Sequence, residues 1–231
     1  MWNKRKLSQK SLNELAEIMP VLSEKEQESC IGGTHFYNLS GTFLGSVGPG
    51  NDIRIISQEE LYTAKYESEQ NNDYTYKSSN SWGSYIQQSD ISSDSVVNIV
   101  NHATGVDKSV IRVTSGVVKE VETIIVDSGS SGYFLIQIER ASLSLKNTGS
   151  LNSTMRHESS HITRPSENQW LDEDDAYMLQ TSDPAFKSLP LDYRQMIASM
   201  WTSQARQYYN DYHSGVIPPG ELEAIRERCG I

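Results

Sequence analysis

Cysteine is scarce. The 231 residues hold two, Cys30 and Cys229, at opposite ends of the chain. With no close pair, neither a disulfide framework nor a thiolate zinc knuckle is available. Any metal would have to be bound by histidine and carboxylate. Long apolar runs are missing too. None approaches the roughly 18 residues of a membrane span, so no transmembrane helix is expected. No basic cluster of the kind that tracks phosphate appears, and 20 Lys and Arg stand against 30 Asp and Glu, for a net charge of −10. That balance argues against nucleic acid or an anionic membrane as partner. No internal repeat is evident. What remains, 36% hydrophobic and 22% charged, is compatible with one sizeable folded domain or two small ones.

The first 33 residues differ from the rest of the chain. Leu12, Leu15 and Met19 fall at i, i+3 and i+7, with Ile18 beside them, as on an amphipathic helix. Pro20 interrupts it. No long apolar core of a secretory signal is present. The segment ends in "CIGG", Cys30 to Gly33. The "LNELAEIMPVLSEKEQ" body and this terminus resemble a bacterial double-glycine leader. The resemblance implies a leader peptidase fused to an ABC exporter, cleavage after Gly33, and secretion of residues 34–231. Cys30 would leave with the leader. Five Lys and Arg balance five Glu within it, so the remainder keeps a charge of −10.

Residues 34–150 read as β-rich. "FYNLSGTFLGSVGPGNDIRII", 36–56, suggests a hairpin around the "GPGND" turn cluster. The polar stretch from about 57 to 95 has few aliphatics and reads as a long loop, flap or linker. "SVVNIVNHATG", 95–105, fits a short helix. "SVIRVTSG", "VVKEVETIIVDS" and "GYFLIQIERASLSL" carry alternating and β-branched patterns. A mostly antiparallel sheet is expected over about 108–146, with "VDSGSSGY" as a hairpin loop. His35 and His102 stand alone and read as surface or satisfied histidines.

The chemistry-bearing residues come after the sheet, in 151–231. After "KNTGSLNS" a helix can start near Ser150–Ser153, capped by Asn152 or Ser153 and stopped by Pro165. His157 and His161 then lie one turn apart on one face, where both imidazoles reach one ion. Glu158, one residue round the helix, is placed to hold water and move its proton. This is the H-E-x-x-H arrangement of metalloproteases. Thr163 stands where zincins usually have an apolar residue, and Ser159 and Ser160 are poor helix formers.

A third ligand sets the class. Residue 167 is Glu and 168 is Asn, so the extra histidine of a metzincin is missing. "SENQWLDEDDAYMLQTS", 166–182, offers a helix with Ser166 as cap and early acidic residues. Asp172, Glu173, Asp174 and Asp175 are all near. Glu173 shares a face with Tyr177 and Gln180 and fits best, with Asp172 or Asp175 next. The string Glu173-Asp174-Asp175-Ala176-Tyr177 also resembles the E-x-E-A-D/N string on the second ligand helix of compact gluzincins. There the first glutamate binds zinc. Asp175 replaces the central Glu, and Tyr177 stands where an Asp often orients a histidine. Tyr177 could instead donate to the oxyanion of a tetrahedral intermediate.

"LDYRQMIASMWTSQARQYYNDYHSG", 191–215, reads as a longer helix with a core stripe. Tyr193, Arg194, Tyr212 and His213 on it are further donor candidates. "IPPGELEAIRERCGI" reads as a short structural helix. The expectation is thus an α+β, zincin-like fold: a mostly antiparallel sheet, an active-site helix and a helical C-terminal part. It would be an exported zinc metallopeptidase acting on peptide or protein, of the toxin or effector kind. A non-catalytic exported binding protein and a zinc amidase acting on cell-wall peptides are the alternatives.

Overall fold

Asn38 closes the first turn of the fold. In the computed structural model its side-chain oxygen accepts the backbone N–H groups of Ser40 and Thr42. The structure describes residues 33–48, 50–71, 83–115, 121–126, 133–163, 169–213 and 215–231. Several expectations lie outside these residues: the leader helix with Leu12, Leu15, Ile18, Met19 and Cys30, most of the "VDSGSSGY" loop, the Pro165 stop and the Ser166 cap. Residues 33–231 form one compact unit.

β1 (Thr34–Tyr37) and β2 (Phe43–Val47) pair antiparallel across the Asn38 turn, Thr34 opposite Val47. β3 (Ile53–Ile55) pairs with β1 in parallel, giving the order β2-β1-β3. The hairpin therefore closes at 38–42, and "GPGND" is a crossover rather than its turn. The Asn38 side chain satisfies two turn donors locally, which the glycine-rich segment cannot do.

α1 (Gln58–Asn71) lies within the polar stretch expected to be loop. A capping box starts it. Ser57 N donates to Glu60 Oε2 at 2.8 Å, and Glu60 N donates back to Ser57 Oγ at 3.2 Å. Leu61 and Ala64, one turn apart, are buried against Phe36, Val47 and Ile56. Two apolar contacts on a short stripe are enough here because the cap and the packing add to propensity.

α2 (Ser93–Thr104) starts at the Ser92 cap and ends at Gly105 in the left-handed conformation. β4 (Ile111–Thr114), β5 (Val121–Val126) and β6 (Tyr133–Glu139) form a second sheet, order β4-β6-β5. β5 and β6 are antiparallel, whereas β4 and β6 are parallel. The expected mostly antiparallel sheet is therefore mixed. The β5–β6 hairpin closes locally, so β4 finds only the free side of β6.

α3 (Thr148–Thr163) starts earlier than expected. Asn147, not Asn152 or Ser153, is its cap, accepting Ser150 N at 3.1 Å. Asn152 instead lies inside the helix and donates to Thr148 O and Ala103 O. α4 (Gln169–Thr181), α5 (Leu191–Tyr212) and α6 (Pro219–Cys229) complete the chain. The fold is α+β. Leu151 and Met155 of α3 enter a core shared by both sheets and α2. A second core joins α4, α5 and α6 around Tyr177, Tyr193 and Trp201. α3 lies against β5, α2 and α4. Among the described residues no helix is long and apolar enough to cross a membrane.

Candidate metal centre

Leu151 and Met155 anchor the first half of α3. Further round the helix, Thr154 reaches Tyr193 of α5, and His157 and His161 reach α4. His157 is 6% exposed and Glu158 4%. The helix repeat stacks the two imidazoles, as the four-residue spacing requires. Their Nε2 atoms are 3.3 Å apart. Glu173 of α4 reaches the same point: its Oε2 is 3.5 Å from His157 Nε2, and its Oε1 is 3.7 Å from His161 Nε2.

Two donors about 2.0–2.1 Å from a tetrahedral zinc lie about 3.3 Å from each other. The observed separations match or slightly exceed that value, so the donors need only close in by a few tenths of an ångström. His157, His161 and Glu173 can hold a metal ion. The sequence-based set is brought together by α3 packing against α4.

Burial alone would raise the Glu173 carboxyl, but its polar contact with His157 and the charges of both histidines hold it below the usual range. An ionised carboxylate is the form a metal ion would take. Asp172, an alternative ligand by sequence, takes a different place. Its Oδ2 accepts from His161 Nδ1 at 2.7 Å, on the side of the ring away from Nε2. It orients His161 and stays outside the donor group. Asp175 is exposed and outside the donor group.

Tyr177 does not take the orienting place either. Its ring is 2% exposed and lies 4.5 Å from the His157 ring, tilted by 54°. On its other side it stacks on Trp201 at 5.4 Å and 18°. Trp201 Nε1 in turn donates to Asp174 Oδ1 at 2.8 Å, tying α5 to α4. Burial, with Glu173 and Glu158 adding to it, pushes the Tyr177 hydroxyl well above its ordinary value. The hydroxyl stays protonated at any working pH. Among the described residues, His157 Nδ1 is buried without a hydrogen-bond partner. The two histidines are thus held by different means, one by a carboxylate and one by an aromatic wall.

The further donor candidates are engaged elsewhere. Tyr193 OH is bonded to Thr154 Oγ1 at 2.7 Å and accepts from Gln180 Nε2 at 3.0 Å, in the second core. Arg194 donates to Leu189 O, Cys229 O and Gly230 O, closing the end of α6. Tyr212 and His213 form an aromatic cluster with Tyr208 at the end of α5. His102 is satisfied, with Nδ1 hydrogen-bonded to Tyr37 OH at 3.0 Å and its ring stacked on Phe43. His35 is buried beside them and held neutral, pushed down to about 4 by burial and then by His102.

Two features were not read from sequence: Asp172 as the partner of His161, and the Trp201–Asp174 bond behind Tyr177. Both depend on how α4 is rotated against its neighbours, which no local spacing encodes. No family model, curated protein or solved structure matches this chain.

Proposed function

We propose that the chain is a zinc metallopeptidase of gluzincin-like type, with His157, His161 and Glu173 as ligands. The observation that carries the reading is the convergence of the two Nε2 atoms and the Glu173 carboxylate, with Asp172 on His161. Two imidazoles and a carboxylate are the donor set zinc takes in hydrolytic sites. Zinc bound there supplies Lewis acidity towards a carbonyl and towards water. Glu158, next to His157 and buried, accepts the proton of the attacking water and returns it to the leaving amine. Tyr177, protonated beside two carboxylates, is the donor assigned to the developing oxyanion. β5 is an edge strand in contact with α3, and an extended peptide can pair along it. The same features support a zincin-like arrangement of sheet and active-site helix.

The leader reading belongs to the same proposal: residues 1–33 direct export, a leader peptidase cuts after Gly33, and the protein acts outside the producing cell as a toxin or effector. Gly33 also has a role in the fold. It is buried, and a Cβ there would lie 2.8 Å from Gly48 O. The bond to Thr34 leads straight into buried β1, so cleavage has to precede the pairing of β1 with β2.

A second reading is a metal-binding protein without catalysis. The burial of Glu158 favours it, because a proton carrier needs a path to substrate. A zinc amidase acting on cell-wall peptides would use the same residues. Glu158→Gln tests the proposal. The variant is expected to keep about one zinc per chain and to lose cleavage by at least a hundredfold, the scale of a general base. Mass spectrometry of protein and peptidoglycan digests separates peptidase from amidase. Absence of cleavage by the zinc-loaded wild type on both substrates would leave the non-catalytic reading in place.

A further inference from the structure

A cavity of about 280 Å³ lies beside α3, and none of His157, His161 and Glu173 lines it. Gly149, Ser153 and Arg156 face it from α3, at spacings of four and three that put them on one side of the helix. Gln180 of α4 lines it too, with Phe186 and Leu189 from the segment after α4. Phe186 and Leu189 are buried. Gly149 lets Leu189 approach the helix closely, since a Cβ there would fall 2.8 Å from Leu189 Cδ2.

The surface inside is chiefly apolar. Two lining residues break that pattern. Gln180 is 1% exposed. Its Nε2 donates to Tyr193 OH at 3.0 Å, but its Oε1 has no hydrogen-bond partner among the described residues. Ser153 Oγ is likewise buried and unpartnered among them. Each such atom costs stability until something supplies its hydrogen bond. Arg156 and Asp183 also line the cavity, and they pair with each other, Nη1 to Oδ2 at 2.8 Å. The other oxygen of Asp183 accepts from Ala185 N at 2.9 Å. The ion pair is 42% exposed on both sides, so it is weak and can part to admit a ligand. Its charges cancel, and the cavity offers no net charge to hold an ion. An uncharged ligand fits best, with one polar group for the two orphan atoms and an apolar body for Phe186 and Leu189. The volume suits a single substituted ring, because an apolar cavity of about 150 Å³ already holds benzene.

We propose that this cavity binds a small neutral phenol. The ring lies against Phe186 and Leu189, where an aromatic pair adds to simple burial. The hydroxyl donates to Gln180 Oε1 and accepts from Ser153 Oγ. A hydroxyl can do both at once, which a bare acceptor or a bare donor cannot. The site uses none of the candidate metal ligands, so it stands or falls independently of the peptidase reading.

The test is a titration of the full chain with p-cresol and with toluene, followed by NMR chemical shifts. Toluene has the same ring and methyl group but no hydroxyl. p-Cresol is expected to bind saturably and about tenfold tighter, the ratio a buried hydrogen bond gives. N-acetyltyrosinamide distinguishes the sources. Binding at least equal to p-cresol assigns a tyrosine side chain presented by a peptide, and weaker binding assigns a free phenol. Ser153→Ala removes one orphan atom and should cut the preference for p-cresol about threefold. Ser153→Leu fills the space and should abolish p-cresol binding, with the helical circular dichroism unchanged. Equal binding of p-cresol and toluene, no saturation by p-cresol below about 10 mM, an unchanged preference in Ser153→Ala, or an unchanged affinity in folded Ser153→Leu would each overturn the proposal.

Discussion

The Asp172→Asn substitution separates a metal ligand from a residue that orients one. The structure has His161 Nδ1 donating to Asp172 Oδ2 over 2.7 Å, with side chains 13% and 20% exposed. At that depth the bond is poorly screened. A hydrogen bond to a charged acceptor is worth about 1.5–3 kcal/mol net, and about 1.4 kcal/mol is a factor of ten. Asparagine keeps the shape and an acceptor oxygen but removes the charge. Zinc affinity should therefore fall about tenfold to a hundredfold, the range typical of such outer partners. Competition with a chromophoric chelator at neutral pH measures it directly. Glu173→Gln should cost more, because it replaces a donor in contact with the ion. Trp201→Phe should cost less, because it loses the bond to Asp174 but leaves the ring against Tyr177. The reasoning fails if Asp172→Asn stays within about twofold of wild type, or if it costs more than Glu173→Gln.

The second prediction concerns acid stability. The folded His35 value, about 4, lies below the ordinary 6.5, so the unfolded chain binds the proton more readily. Its contribution is present above pH 6.5 and is lost as pH falls towards 4, up to about 3 kcal/mol in all. Urea unfolding at pH 7 and 4.5 should show a smaller loss in His35→Phe than in wild type, and equal losses would refute it. Tyr193→Phe should destabilise by about 1–3 kcal/mol, because Gln180 and Thr154 lose a buried partner, while zinc affinity is unchanged. A fall in zinc affinity would place Tyr193 in the centre after all. Cys229 is buried, and its thiol is pushed up to about 11 by burial despite Arg194. In a Cys30→Ser background a thiol reagent should label it only as fast as the protein opens. Labelling at the rate of a free thiol would show the second core to be loose.

The candidate metal centre was the most legible part of the sequence, because its two histidines are local. A four-residue spacing on one helix fixes the distance between two imidazoles, whatever the rest of the chain does. Glu173 was legible at one remove, through the face it shares with Tyr177 and Gln180. What that face meets was not legible. The neighbouring Asp172 turns towards Nδ1 of His161, and only the rotation of α4 against α3 decides this. Tyr193 looked like a donor because it is a tyrosine near the site, yet α5 points it into a chain of buried hydrogen bonds. In the fold, α2 was legible as a short helix and α5 from its stripe. α1 was not, because a two-residue stripe and a capping box were outweighed by the polar composition around them. Parallel pairing in both sheets was not legible either. Strand patterns define faces, and neither β1–β3 nor β4–β6 is joined by a turn that would name the partner.

The asymmetry between the two histidines bears on how tightly this centre can hold an ion. A neutral imidazole that gives Nε2 to a cation carries its proton on Nδ1. At His161 that proton goes to Asp172. At His157, Nδ1 is buried and has no hydrogen-bond partner among the described residues. Leaving a buried donor unmade costs about 1–3 kcal/mol, equivalent to roughly tenfold to a hundredfold in affinity. The Tyr177–Trp201 wall restores the orientation of the His157 ring but not this bond, since a ring face is a poor acceptor. Zinc affinity should therefore lie below that of a centre with both histidines carboxylate-bonded. The ion would then bind through geometry set by the two cores that flank α3, and loosening either core should release it. Leu151→Ala in the first core and Ile197→Ala in the second lie away from the ligands, so weaker zinc binding in both would bear the coupling out. Unchanged affinity in folded forms of both would show that α3 and α4 alone define the centre.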